Sequence, residues 1–600
     1  MPYGTEGRGG ITLRAVRCAE RFGRWVLGAG CLMGAGCSEA SPPVAALDAA
    51  TLDAGAVEAD SGRFADGGPR SPTPYEGPDD HCPGAAHCMP TGDHQLSAGF
   101  ARVDINPALT ETMWTDTNRN NAWEPGEPFV DLNGNGVFDA VWVAGFGTGR
   151  PATGIADSLD VRAVAFRDGE TLVAFAVIDC VGFFRNEIER IEADPTLAGL
   201  GIDKILVAST HVHEAVDTIG LWGRGPLQSG LSASYQSLVR RRTAEAIAQA
   251  VGALRPARMR VAQVMTVDPM TGDTRAYVND TRDPVLFDPT VTVVQFTDDA
   301  MPGRTLGTWV NWAAHPEYAG SRNNLLSADY VHHLREVIER GVPEEGLPGL
   351  GGVTVFVNGA LGGQVGPGGG VRPLGDDGMP ITEAGLPRAR AVGRAVGRLA
   401  LRAITADGVE ASETAVSYRT APLWMQAQNT TYGLGFTNRV FDRPLYYWDP
   451  SRTFRNGNFP WIRSRVTYLQ VGPVATITAP GELHPELWIG YDPRFSWGQS
   501  TLTETRNRPD LAMAPPAPYL RDVMLANPGV RYAFVSGLTE DFIGYIVPQL
   551  NYVLHPVLPY LQEADGDHYE ETNSIGPGVE TFAHAPMMAL ARWRPPGGAP

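Results

Sequence analysis

Ser209-Thr210-His211-Val212-His213-Glu214 follows the apolar run Ile205-Leu206-Val207-Ala208. Imidazoles at the end of a rigid strand are placed to bind a metal or to move protons. In an extended segment the two rings of such a pair face opposite sides, so only one would reach a given ion directly. A second histidine, His315, follows Asn311-Trp312-Ala313-Ala314 after another strand-like run, with Ser327-Ala328-Asp329 a short loop later. The third point is the carboxylate of Glu482 in Thr478-Ala479-Pro480-Gly481-Glu482-Leu483-His484. Each histidine alone reads equally well as a hydrogen-bonded, half-buried residue. Together, imidazoles and a carboxylate at three strand ends are the ligand set of a catalytic zinc that keeps a position for water.

A different cation chemistry is written at 116–139. Asp116, Asn118, Asn120, Glu124 and Glu127 place oxygen side chains at positions 1, 3, 5, 9 and 12 of an EF-hand-type loop. Asn121 holds position 6, where Gly is usual, and tolerates a left-handed backbone. Asp131, Asn133, Asn135 and Asp139 repeat the pattern with Gly136 in place, but Trp142 stands where the last acid belongs. Glu127 or another neighbour would then complete that loop. All-oxygen ligands favour calcium over magnesium, in a structural role that staples a long loop. The alternative is a series of Asn/Asp turns that satisfy their own backbone.

Other residues carry weaker signals. His332 and His333 fall on a predicted helix, where adjacent side chains do not share a face, and read as surface or capping residues. His484 reads as a turn residue before Pro485. Arg275 and Arg282 could bind a polar substrate group or be ordinary surface arginines. The glycines at 362–370 lack the Lys-Ser/Thr of a phosphate loop. Trp424, Tyr432, Tyr446, Tyr447 and Trp448 could line an apolar groove, with core packing as the default. Cys180 ends an apolar run and reads as a buried structural thiol. Cys82 and Cys88 bracket a short loop that suits a disulfide, or a zinc knuckle with His81 and His87.

These residues need elements to hold them. Strand-like runs cover Thr171–Ile178, Lys204–Ala208, Thr292–Phe296, Thr308–Trp312, Val353–Val357, Thr467–Val471 and Val474–Thr478. Helical patterns cover Tyr235–Leu254, Tyr330–Arg340 and Leu386–Ile404. The expected fold is α/β (mixed α+β): mixed β-sheets covered by helices in one large catalytic domain, residues 97–600, with the calcium loops as an insertion. With 70 Gly and 48 Pro in 600 residues, many turns and ordered loops are expected and a coiled coil is not. The net charge of −19 excludes a nucleic-acid partner. Much of that charge is local: residues 38–80 hold nine acids against two Arg, and residues 110–140 six acids against one Arg.

The amino terminus reads as an export segment over residues 1–37. Arg14, Arg17, Arg21 and Arg24 precede an apolar run too short to span a bilayer. Cys37 after Gly34-Ala35-Gly36 resembles a bacterial lipoprotein cleavage box, and Cys31 is a second imperfect candidate. Residues 38–96, rich in Ala, Asp, Gly and Pro, read as a disordered linker between a membrane anchor and the folded domain. The expected location is the bacterial cell envelope, as a lipoprotein without a transmembrane helix, or the medium.

The order of motifs resembles the neutral (non-lysosomal) ceramidase family. Ala98-Gly-Phe-Ala-Arg-Val-Asp104-Ile105-Asn-Pro107 is similar to its opening strand and turn, and Gly154-Ile155 to Arg162-Ala163 to the segment before its first long strand. Thr210-His211-Val212-His213 resembles its Thr-His-Thr-His, and Asn311 to Pro316 with Ser327-Ala328-Asp329 its second histidine block. Phe356-Val-Asn358-Gly359-Ala360-Leu-Gly362, Pro480-Gly481-Glu482, Gly537 to Tyr545 and His568-Tyr569-Glu570 resemble four later motifs. The likeness spans roughly residues 97–595.

The resemblance implies a mononuclear zinc hydrolase that cleaves an amide of an N-acyl lipid such as ceramide, or a related amide or ester, by attack of a zinc-bound water. It assigns the zinc ligands to His211, His315, Glu482 and Tyr545. His213 would stand beside the metal or face the substrate, Tyr569 would polarise the scissile carbonyl, and Tyr545 could also protonate the leaving group. Asp329 would orient a ligand histidine or cap a helix. The departures concern the substrate. Gly359 stands where sphingolipid-cleaving members have serine, and Glu214-Ala215-Val216 replaces their Ser-Gly-Pro. The likeness stops near residue 595, so their carboxy-terminal immunoglobulin-like domain is not expected in this chain. The alternative is a catalytically silent cell-surface binding protein that keeps both metal sites as scaffold.

Overall fold

The computed structural model describes residues 80–596, apart from residues 89–94, 170, 268–274, 276, 281, 367–371, 456, 493–494 and 496–506. The expected export segment, with Cys31 and Cys37, and the linker up to residue 79 lie outside the described residues. The end of the expected linker belongs to the fold: β1 (Asp80–Cys82) pairs with Tyr418–Thr420, and Cys82 is disulfide-bonded to Cys88. Composition hid this, because a three-residue edge strand draws its order from the sheet it joins.

The larger sheet contains β2 (Ser97–Asp104), β3 (Asp160–Arg167), β4 (Leu172–Ile178), β5 (Lys204–Ser209), β6 (Arg255–Met265), β7 (Thr290–Asp298), β8 (Thr305–Trp312) and β9 (Val353–Asn358). These run in the order β9-β8-β7-β6-β2-β3-β4-β5. The β4–β5 and β8–β9 pairs are parallel and the others antiparallel. The second sheet is built from β10 (Val416–Gln426), β11 (Trp461–Val471), β12 (Val474–Thr478) and, past the short β13 (Glu482–Leu483), β14 (Tyr532–Ser536). Its order is β1-β10-β11-β12-β14, with β12 and β14 parallel. Finally, β13 pairs in parallel with β15 (Tyr545–Ile546), Glu482 opposite Tyr545.

Side-chain alternation explains how the sheets stack. Along β4, Val173, Phe175 and Val177 join a core shared with Tyr418, Leu469, Val474 and Phe534 of the second sheet. The intervening Leu172, Ala174, Ala176 and Ile178 pack against Val239 and Ile247 of a helix. Both faces are therefore buried, which is why β4 reads as one apolar run. Each large apolar side chain so buried contributes about 1.5–3 kcal/mol. Along the chain the longer helices include α1 (Arg185–Glu192), α2 (Ala233–Gly252), α3 (Asp329–Arg340), α4 (Leu386–Asp407) and α5 (Thr430–Thr437). α2, α3 and α4 cover the outer face of the larger sheet. Short helices at Pro485–Ile489, Leu520–Leu525 and Ala585–Leu590 cover the second sheet. The layers run helix, sheet, sheet, helix. No helix among the described residues is long and apolar enough to cross a membrane.

One close approach sets the spacing of the first two layers. A Cβ on Gly99 of β2 would fall 2.1 Å from the Ala250 carbonyl oxygen of α2, whereas one on Gly252 would meet nothing within 4 Å. Gly99→Ala is expected to lower stability by about 1–3 kcal/mol or more by overpacking. Gly252→Ala should be neutral or slightly stabilising. Urea denaturation midpoints of the two variants check this.

Candidate metal centre and loop sites

The carboxyl ends of strands from both sheets meet at one place. β5 leads into His211 and His213, β8 into His315, β9 into Asn358 and Gly359, β12 into Glu482, and β14 into the loop that reaches Tyr545. Backbone hydrogen bonds from Ser209 to the Leu538 carbonyl, from Glu540 to that of Val207 and from Gly537 to that of Asn358 join the two sheets there.

His211 adopts φ +69°, in the left-handed region. This turns the chain out of its extended path, so strand alternation stops at Ser209. Both rings then point inward, with the His211 and His213 Nε2 atoms 3.3 Å apart. The expectation that only one of them would reach a given ion does not hold. His315 joins them, and its Nε2 lies 3.0 Å from Glu482 Oε2, while the same oxygen is 3.3 Å from His211 Nε2. The Tyr545 hydroxyl is 3.3 Å from His315 Nε2. All these side chains are buried.

The outer ring nitrogens fix the tautomers. His211 Nδ1 donates to the Val181 carbonyl at 2.6 Å, and His315 Nδ1 to the Gln364 carbonyl at 2.7 Å. A carbonyl only accepts, so Nδ1 carries the proton and Nε2 presents a lone pair. Burial pushes His213 down to about 4, which leaves a neutral ring near neutrality. Burial works against ionisation of Glu482, and a proton taken up at Nε2 of His211 or His315 works for it strongly enough to hold the carboxyl well below the usual range. Lone pairs and a carboxylate thus face one another in a dry site, an arrangement that a divalent cation satisfies. His211, His213 and His315 each offer a ligand atom within 4.8 Å of the others.

Two supports were not read from the sequence. Glu317 places Oε2 3.2 Å from His213 Nδ1, without hydrogen-bond alignment, and accepts from the Gly366 amide. Burial opposes its ionisation, whereas a proton on the His213 ring and the Gly366 amide favour it and lower its pKa. The signal was available as the acid two residues after His315. Asn358 donates to the carbonyls of Thr210 and Ala314 and accepts from the Ala314 and Gly359 amides, tying the two histidine turns together. Among the described residues no hydrogen bond or ion pair joins Asp329 to a histidine. It begins α3 at φ +50° and accepts from the Tyr330 and Ala319 amides, so its role is to cap and brace the turn after His315. Glu214, fully buried, has no hydrogen-bond partner for either carboxylate oxygen among the described residues, and burial raises its pKa well above the ordinary value.

The remaining residues take definite places. Tyr569 is 45% exposed and meets the buried Tyr545 ring edge-on at 6.2 Å. Burial and then Glu482 hold the Tyr545 phenol well above its usual pKa, so the hydroxyl keeps its proton. Arg282 is not a surface arginine: it is buried against Glu570 and Glu571, which follow Tyr569. Burial pushes the Cys180 thiol up to about 12. With Cys82 and Cys88 in a disulfide, neither is free to ligate a metal there.

The 116–139 loops form a matched pair. Asp116 accepts from the Asn120 and Asn121 amides, and Asp131 from those of Gly134 and Gly136. Asn121 and Gly136, at the two sixth positions, have φ +61° and +73°. Glu127 accepts from the second and ninth amides of its loop, Thr117 and Glu124. Glu111 does the same for Leu132 and Asp139. Glu111, not Glu127, therefore takes the vacant last position of the second loop. Asn118 and Asn120 face Glu124, as Asn133 and Asn135 face Asp139.

Glu317→Gln should keep the fold but weaken metal affinity about 10–100-fold, because it removes the charge behind His213. His211→Ala should weaken it further. Competition against a chelator of known zinc affinity measures both.

No protein-family model matches the chain, and no curated protein matches it. Among solved structures, the neutral ceramidase from Pseudomonas aeruginosa is similar with a TM-score of 0.55 at 12% identity, covering 83% of this chain and 74% of that one. A ceramidase complexed with C2 is similar with a TM-score of 0.55 at 13% identity, over 83% and 75% of the two chains. This chain therefore has, in divergent form, the fold of the neutral ceramidases.

Proposed function

We propose that the chain is a zinc-dependent hydrolase that cleaves the amide of an N-acyl lipid such as ceramide, or a related amide or ester. The observation that carries this reading is the convergence of the His211 and His315 Nε2 atoms on Glu482, with His213 Nε2 3.3 Å from that of His211 and the Nδ1 protons of His211 and His315 held by carbonyls. Imidazole with one carboxylate is a zinc donor set, and Tyr545 lies within reach of the same point. A bound zinc would supply Lewis acidity toward the scissile carbonyl and favour ionisation of water near neutral pH.

The chain's own residues orient and polarise the substrate. Protonated phenols of Tyr545 and Tyr569 can donate to the carbonyl oxygen or protonate the leaving amine. Arg282, through Glu570 and Glu571, holds the turn that presents Tyr569. Exposed Leu434, Val557, Leu558 and Leu561 suit an acyl substrate. Their segments are tied to the Tyr569 turn, through Asn429 to the carbonyls of Thr572 and Ser574 and through Thr431 to that of Tyr560. Export, and anchoring through Cys37, belong to the same reading, as does calcium in the paired loops. The silent-binding alternative draws on Gly359: a Cβ there would fall 2.8 Å from Ala313 Cβ, which leaves no room for a serine.

Purified protein should contain zinc and hydrolyse N-acyl lipids or simple amides and esters. Chelation and His211→Ala should abolish turnover, and Tyr569→Phe should lower kcat about 10²–10³-fold with zinc retained. Zinc without turnover of any of these substrates would leave the binding-protein reading standing. Calcium should raise the melting temperature of wild type in proportion to the logarithm of its concentration, and Asp116→Asn/Asp131→Asn should remove that dependence.

A further inference from the structure

A second group of side chains able to offer metal-ligand atoms lies on α3. His332, His333 and Glu336 each offer one ligand atom, and these atoms lie within 4.8 Å of one another. Helical spacing brings this about. Glu336 is four residues past His332 and three past His333, so its carboxylate neighbours both rings. The two imidazoles meet edge to face at 4.9 Å. His333 Nδ1 is 3.9 Å from Glu336 Oε2, and His332 Nδ1 is 3.6 Å from Asp157 Oδ1. Both distances are too long for hydrogen bonds.

Adjacent histidines on an isolated helix face different ways, which is why the pair reads as unrelated in the sequence. Packing changes that. α4 crosses α3 so closely at Gly393 that a Cβ there would fall 2.7 Å from His333 Cβ. Both rings line one open cavity of about 450 Å³, together with Asp157, Asp376 and Arg390. The charge of Arg390 is met by Asp376 at 2.9 Å.

We propose that His332, His333 and Glu336, with Asp157 at the edge, form a second metal site that takes a divalent transition-metal ion of the zinc class. Two imidazole nitrogens and a carboxylate select such ions over calcium or magnesium, unlike the all-oxygen loops at 116–139. The cavity gives the ion access and leaves room for water in its remaining coordination positions. An ion there would brace the amino-terminal half of α3, whose first residue, Asp329, holds the Ala319 amide just past His315. The role is structural support of the helix behind the catalytic turn.

Full-length protein stripped with EDTA, then dialysed against zinc buffered at a micromolar free concentration, tests this by zinc-to-protein ratio. The expected result is one zinc fewer per chain in His332→Ala/Glu336→Gln than in wild type, and retention of that ion in His211→Ala/His315→Ala. Zinc should also raise the melting temperature of wild type more than that of His332→Ala/Glu336→Gln. Both substituted side chains are partly exposed, and melting in EDTA confirms that the variant folds. If it melts lower in EDTA, the single His332→Ala variant gives the same reading. Equal zinc content in wild type and the folded variant, or equal zinc-induced shifts, overturns the proposal.

Discussion

Two buried imidazoles, His211 and His315, turn Nε2 toward the Glu482 carboxylate with His213 Nε2 beside them, and the architecture around them is what holds these polar groups together in a dry site. His211 and His315 donate Nδ1–H hydrogen bonds to the Val181 and Gln364 carbonyls, which fixes the orientation of both rings. Asn358 clamps the two histidine turns with three hydrogen bonds. The β13–β15 pair sets Glu482 opposite Tyr545 on neighbouring backbones. Left-handed conformations at His211, Leu538 and Glu540 store strain of about 1–3 kcal/mol each where the two sheets join. Strain of that kind persists only where the surroundings overdetermine it, and here both sheets do so.

The strands that bear the site were legible because both of their faces are buried. β4, β5, β7, β8, β9 and β12 announce themselves as apolar runs, and α2, α3 and α4 by their helical period. The stacking of two sheets was not legible. Which face of β4 meets a helix and which meets β11 depends on the partner, and alternation alone does not name it. The meeting of His211 with His213 was hidden for a related reason. Strand alternation ends at Ser209, and two residues later a positive φ at His211 replaces it. Glu317 was overlooked because an acid after His-Pro looks like a turn residue until its distance to His213 is known.

The paired loops illustrate a different limit. Their internal residues were readable from spacing, because Asx turns at positions 1, 3 and 5 are local. The acid that completes the second loop is not local. Glu111 arrives from the strand side of the insertion and reproduces, amide for amide, what Glu127 does within its own loop. Beneath both loops Trp123, Phe129, Phe138 and Trp142 pack ring against ring, so the residue that displaces the expected acid, Trp142, serves as floor to the pair.

Gly359 bears on how a substrate would be held under the proposed function. The backbone after Asn358 passes so near Ala313 that no side chain fits, and Gly537 closes on the Gly359 carbonyl from the other side, where its own Cβ would fall at 2.4 Å. A hydroxyl could not be restored there by substitution alone, because both neighbours are backbone or the short side chain of a core turn. Donors to a carbonyl in this site must therefore come from elsewhere. The side chains that remain are the phenols, Tyr545 buried against His315 and Tyr569 open to solvent. Because Tyr569 stands on a turn fixed by Arg282, Glu570, Glu571 and His568, its placement is set by a buried ion network rather than by the metal cluster. Under the proposed function, the turn that would present Tyr569 to a substrate and the turns that would hold the metal are thus braced by different interactions.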